Sequence, residues 1–238
     1  DEVAKFSALA DEWWDSEGSY KPLHRINPAR LGYIRDRLGR HFDRDVSGRR
    51  PLDRLTMLDI GCGGGLVCEP LSRLGGQMTG IDASECNIGT ARSHAARMGL
   101  AIEYQHMTAE FLVEREAKFD VVMSLEVIEH VPDTNQFLKT CADLVNPGGA
   151  LILSTLNRTP KSFLFGIVGA EYILGWVPRG THQWKRFVRP SEISAGLRGS
   201  NLRINDISGL SYDLKSSEWG IGKDISVNYM AFVVDNQI

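Results

Sequence analysis

Three groups of residues in this 238-residue chain have types and spacings that can do chemistry. The first is Leu55-Thr-Met-Leu-Asp-Ile-Gly-Cys-Gly-Gly-Gly65, an apolar run that meets Asp59 and then collapses into glycines. It reads as a buried parallel strand entering a tight turn that opens a helix. Gly61, Gly63, Gly64 and Gly65 lack a Cβ, so backbone N–H groups there approach a ligand closely, and the following helix adds its partly positive N-terminus. The pattern favours a nucleotide-type cradle over an ordinary strand-to-helix loop. The second group is Asp82, which ends the next apolar stretch about 20 residues on, where a carboxylate can accept both hydroxyls of a ribose. The third is Leu125-Glu-Val-Ile-Glu-His-Val-Pro132. Its Glu126, Glu129 and His130 fall at i, i+3 and i+4, which on one helical turn brings them to one face. Two hard oxygen donors with one imidazole suit magnesium or manganese and leave zinc open. The same groups without a metal are a general base or simply pocket walls.

The elements that must position these groups follow from periodicity. Phe6, Leu9, Ala10, Trp13 and Trp14 mark one face of an N-terminal amphipathic helix, either packed on the domain or a lid over a ligand. Asn27 as N-cap and Pro28 at the first helical position open a second helix striped by Leu31, Ile34, Leu38 and Phe42. From residue 55 onward strand and helix alternate, with strands over 55–60, 77–82, 102–105, 119–124 and 150–156. Helices follow the glycine loop, run from the Ser84 cap to Met98, and span 134–144, while Asn146-Pro-Gly-Gly149 reads as a turn. Two more strands lie over 202–208 and 227–234. Such repeated units predict an α/β domain whose parallel sheet carries helices on both faces. Ligands of open parallel sheets sit beyond the carboxyl ends of the strands, so Gly61, Asp82 and the Glu126 turn should face one crevice.

Composition narrows the classes. With 42% hydrophobic residues the chain can bury one good core. A net charge of −3 argues against a general nucleic-acid binder. Cys62, Cys68, Cys86 and Cys141 form no C-x-x-C pair and no zinc-ligand spacing, which predicts reduced core thiols. Neither an apolar signal nor a run of about 18 apolar residues stands out. A dinucleotide fingerprint starting at Gly61 would need glycine at Leu66, which disfavours an NAD-dependent oxidoreductase. Between Arg158 and Arg189, Phe163, Leu164, Phe165, Ile167, Tyr172 and Trp176 crowd together among six cations, a composition suited to an anionic membrane surface or to a helix closing over the active site.

Several segments together resemble one family. They are Trp13-Trp-Asp15, Pro22-Leu-His-Arg-Ile-Asn-Pro-Ala-Arg30, Leu58-Asp-Ile-Gly-Cys-Gly-Gly-Gly65, Glu126-Val-Ile-Glu-His130, Ser154-Thr-Leu-Asn157, Val168-Gly-Ala-Glu-Tyr-Ile173 and Val177-Pro-Arg-Gly-Thr-His182. Over nearly the whole chain this is similar to the ubiquinone-biosynthesis O-methyltransferases, class I enzymes dependent on S-adenosylmethionine (SAM). The resemblance implies a Rossmann-like fold with a mostly parallel seven-stranded sheet, helices on both faces and an antiparallel last strand. It implies an N-terminal helical cap over 1–50 and a methyltransferase domain over 51–238, with an inserted substrate or membrane segment at about 158–189. The family pattern places Arg30, Gly61, Asp82 and Leu125 against SAM, and the D-x-G-x-G motif adds Asp59 and Gly63. Eukaryotic members hold a divalent ion through residues matching Glu126, Glu129 and His130, which makes magnesium an expected cofactor here, with zinc or manganese as alternatives. The implied reaction methylates a phenolic hydroxyl of polyprenylated catechol or hydroquinol intermediates. A membrane surface and other ubiquinone-biosynthesis proteins are the implied partners, with peripheral placement at a bacterial inner membrane or on the matrix face of the mitochondrial one. A same-fold enzyme for another small phenol or acid, or a lipid-binding scaffold, are the alternatives.

Overall fold

The structure, a computed structural model, describes residues 11–164, 183–213 and 218–235. Much of the apolar, basic stretch singled out above, Tyr172 and Trp176 included, lies outside the described residues, as do Phe6, Leu9 and Ala10.

Strands β1 (Thr56–Ile60), β2 (Gln77–Asp82), β3 (Glu103–His106), β4 (Phe119–Leu125) and β5 (Val145–Leu156) are joined by parallel pairings. Strands β6 (Leu202–Asp213), β7 (Glu218–Gly222) and β8 (Asn228–Asp235) extend the sheet by antiparallel pairings, in the order β3-β2-β1-β4-β5-β8-β6-β7. The described residues therefore form eight strands, one more than expected. The extra one is β7, a short edge ribbon containing Gly220 and Gly222 that shows neither a clean alternation nor a continuous apolar run.

Period-two alternation divides the core. Met57, Val121, Met123, Ala150, Ile152, Met230 and Phe232 face one side, while Leu58, Val122, Leu151, Leu153, Ala231 and Val233 face the other. On the first side pack α1 (Lys21–His41), α2 (Cys68–Arg73) and α3 (Glu85–Arg97); on the second pack α4 (Ala109–Glu114), α5 (Thr134–Asp143) and α7 (Pro190–Gly196). A single turn, α6 (Pro160–Ser162), follows β5.

Helix α1 corrects the expected start. It begins six residues before Asn27, with Pro22 in its first turn, and Pro28 lies inside it. The Asn27 side chain is not a cap: its Nδ2 donates to Leu66 O at 2.7 Å, tying α1 to the end of the glycine loop. Farther along, Tyr33 Oη donates to Asp206 at 2.8 Å and Arg37 pairs with the same carboxylate at 2.6 Å, so the helix is pinned to β6. The residues 146–149 read as a turn are instead the irregular start of β5, where the β4–β5 register shifts.

Candidate functional site

Sheet order reverses between β1 and β4, and the chain leaves each of these strands at its carboxyl end into one of the predicted motifs. After β1 the loop turns sharply: Gly61, Gly63 and Gly65 have φ of +77°, +53° and +88°, values open to glycine and strained for other residues. Gly63 N–H donates to Asp82 Oδ2 at 3.0 Å, while Ser84 N–H and Asn87 Nδ2 donate to Oδ1, so the carboxylate is aimed before any ligand arrives. A groove of about 460 Å³ is lined by Gly61, Asp82 and Ala83, by Met107, Thr108 and Ala109, and by Glu126, Val127 and His130.

The Glu126 turn is not helical. Its first residue sits at φ +58°, a strained value of the kind that accumulates at functional sites. Pro132 bars Val131 from helical geometry, and His130 N–H closes a tight turn on Val127 O at 2.8 Å. The consequence separates the three side chains. Glu126 turns back to Arg30, whose Nη2 lies 2.6 Å from its Oε1, and accepts Ser154 Oγ–H at 2.5 Å. Glu129 is buried, and its Oε2 accepts Thr155 Oγ1–H at 2.8 Å. His130 is exposed at the groove rim.

Burial first, then the neighbouring Glu126 charge, hold the Glu129 carboxyl well above the usual carboxylate range. Its Oε1 is buried with no donor facing it, and it is linked to the Glu126 carboxyl. A proton on Glu129 gives that oxygen a donor and relieves the repulsion between the two carboxylates. Arg30, itself buried, supplies the compensating cation and keeps an unpartnered Nε.

Asp59 and Leu125 lie behind the groove lining. Asp59 accepts from Cys68 Sγ at 3.4 Å, and burial, with the Asp82 charge adding, pushes its carboxyl up to about 7. Leu125 ends β4 and is half-buried against the core on the α1 side. Gly63 and Gly64 lie beneath Trp13: a Cβ on either would come within 2.7 Å or 2.6 Å of that ring.

Known proteins decide the family. A methyltransferase-domain pattern matches residues 58–153. The ubiquinone biosynthesis O-methyltransferase of Parvibaculum lavamentivorans is 51% identical over 97% of this chain and 91% of its own length, and that of Sinorhizobium medicae 52% over 96% and 92%. This chain belongs to the ubiquinone biosynthesis O-methyltransferase family. It is accordingly a SAM-dependent O-methyltransferase. Two solved structures share the fold: a magnesium protoporphyrin IX methyltransferase of Synechocystis PCC 6803 with bound SAM, at TM-score 0.63, 17% identity and 99% and 98% coverage, and the plantazolicin methyltransferase BpumL with bound SAH, at 0.60, 17%, 99% and 97%.

The expected three-ligand metal set is not gathered among the described residues. Among the described residues no three carboxylate, imidazole or thiol groups gather closely enough to hold an ion. Glu126 Oε1 is taken by Arg30 and Ser154, Glu129 Oε2 by Thr155, and His130 lies at the rim. The residues present do not fit a three-ligand centre. Ser154 and Thr155 are what the residue reading missed as site groups: they are hydroxyls at the carboxyl end of an otherwise apolar strand, a signal visible in Leu151-Ile-Leu-Ser-Thr155.

Proposed function

We propose that this enzyme methylates a phenolic hydroxyl of a polyprenylated catechol or hydroquinol ring, with Glu126 as the general base. One observation carries the reading: a carboxylate paired with Arg30 at 2.6 Å lines one groove together with the glycine loop and Asp82. When bound, SAM supplies an electrophilic methyl group on a sulfonium leaving group. Gly61 and Asp82 would fix its adenosine, and Arg30 Nε would meet an anionic group of the cofactor. A phenol with pKa of roughly 10 attacks poorly until it loses its proton, and Glu126 accepts that proton as the oxygen bonds to the methyl carbon and the carbon–sulfur pair leaves with sulfur. Holding oxygen, carbon and sulfur in line is the larger part of the catalysis.

Incubation with methyl-labelled SAM and a short-chain prenyl catechol is expected to yield the labelled methyl ether, at the same rate after chelator treatment. Transfer only to a non-prenylated phenol or acid would reassign the substrate. An absolute requirement for added magnesium would overturn the base assignment.

A prenyl substrate resides in a bilayer, so we also propose peripheral binding to an anionic leaflet, at the bacterial inner membrane or its mitochondrial counterpart, beside other enzymes of the same pathway. Phe163 and Leu164 are 48% and 54% exposed, Lys161 precedes them, and the Phe163 ring meets Trp184, which Lys185 and Arg186 follow, the pairing of apolar and basic groups that interfacial segments use. No helix among the described residues is long and apolar enough to cross a membrane. Co-sedimentation with vesicles rich in anionic lipid is expected to fall at least several-fold in Phe163→Glu/Leu164→Glu, with SAM affinity unchanged. Equal sedimentation of the two proteins would refute this surface.

A further inference from the structure

Outside the groove, the chain buries an acid and a histidine that the methyl-transfer chemistry does not use. Glu69 of α2 is fully buried, and its Oε1 lies 2.5 Å from Nδ1 of His94 on α3, itself 5% exposed. A buried ionisable pair costs desolvation and is weak support for the fold by itself. What it does instead is present a flat ring. Trp14 stacks on the His94 imidazole with centroids 3.8 Å apart and planes 6° from parallel. From that seat the indole Nε1–H donates to Gly64 O at 3.1 Å, inside the glycine loop. The neighbouring Trp13 ring lies on Gly63 and Gly64 and stacks on Tyr20 at 3.8 Å.

We infer that Glu69, His94 and Trp14 form a latch that positions the glycine loop for SAM and slows the cofactor's release, with Trp14 and His94 as positioning residues outside the reacting centre. The inference rests on the reading of this loop as the SAM cradle. The loop's backbone is held from two sides: Asp82 draws in Gly63 N–H, and Trp14 draws on the Gly64 carbonyl one residue later. Removing the second hold releases the Gly64 carbonyl and widens the conformations open to Gly64 and its neighbours, which loosens the donors that approach the ligand. Glu69 fixes the imidazole's orientation from beneath, so the tryptophan finds a ring already aligned.

Stopped-flow measurement of SAM release tests this on the full chain. Trp14→Ala is expected to release SAM about tenfold faster, the scale of one aromatic pair together with one hydrogen bond, with the KM for the phenol within twofold. Trp14→Phe keeps a ring on His94 and lacks the N–H, so its release rate should fall between the two. A merely structural role would lower the melting temperature and leave release from the folded protein unchanged, and that result would overturn the latch. Asp82→Ala, run in parallel, separates the two readings. Unchanged SAM affinity in Asp82→Ala would refute the cradle itself, whereas weakened affinity there with wild-type release from Trp14→Ala would refute only the latch.

Discussion

Glu126→Gln is expected to lower kcat by roughly 10²- to 10⁴-fold, the usual contribution of a positioned general base, while Glu129→Gln keeps most of the activity. Glutamine at 126 fills the same volume, and its amide oxygen still accepts from Arg30 and Ser154, so SAM affinity and folding should survive while the proton acceptor is gone. Glutamine at 129 mimics the neutral acid that burial favours there, and its carbonyl oxygen still accepts from Thr155. Equal loss of activity in the two variants would show that the roles are wrongly divided. The pair also sets the sign of a pH effect. The Glu129 carboxyl is held well above the usual carboxylate range in the fold, so its stability contribution is fully present below the ordinary carboxylate pKa of about 4.3 and is lost as pH rises through its raised folded value. Asp59, pushed up to about 7 by burial, acts in the same sense. Melting temperature should therefore fall on going from pH ~5 to pH ~8, and Glu129→Gln should flatten part of that fall. A melting temperature that rises over this interval would contradict the assignment of a neutral Glu129.

Gly61→Val is the second large effect: SAM affinity should drop about 100-fold or more. At φ +77° a side chain carries the left-handed penalty, roughly 1–2 kcal/mol, which lowers stability. The loss of affinity comes from position, because a Cβ there would stand 2.4 Å from Val127 Cγ2 and must push the loop or the Glu126 turn aside, closing the groove both of them line. Gly148→Ala is the matched control. Gly148 has nearly the same φ, +74°, but nothing lies within 4 Å of its would-be Cβ. It should lose stability by about the same backbone penalty and bind SAM normally. If both variants bound SAM as tightly as the parent, the glycine loop would not be the cofactor's cradle.

Much of this was legible along the chain because it is local. A strand running apolar into Asp59 and a glycine turn, a carboxylate one strand later, and alternation of period two with helical stripes together determine a parallel sheet and the edge at which its ligand sits. What tertiary structure alone decided concerns contacts between distant segments. The spacing of Glu126, Glu129 and His130 suggested one helical face, but a left-handed Glu126 and Pro132 made a tight turn instead and sent the three side chains to Arg30, to Thr155 and to the surface. Glycine content suggested room for a ligand, yet each glycine answers to a different neighbour: Val127 at Gly61, Trp13 at Gly63 and Gly64, and the Tyr104 hydroxyl at Gly65. Which residue fills the space left by a missing Cβ depends on chain brought from 13 to 127, and no local pattern encodes that approach. The burial that raises the Glu129 carboxyl, and the stacking that joins Trp14 to His94, arise only when β5, α3 and the N-terminal segment meet around the loop.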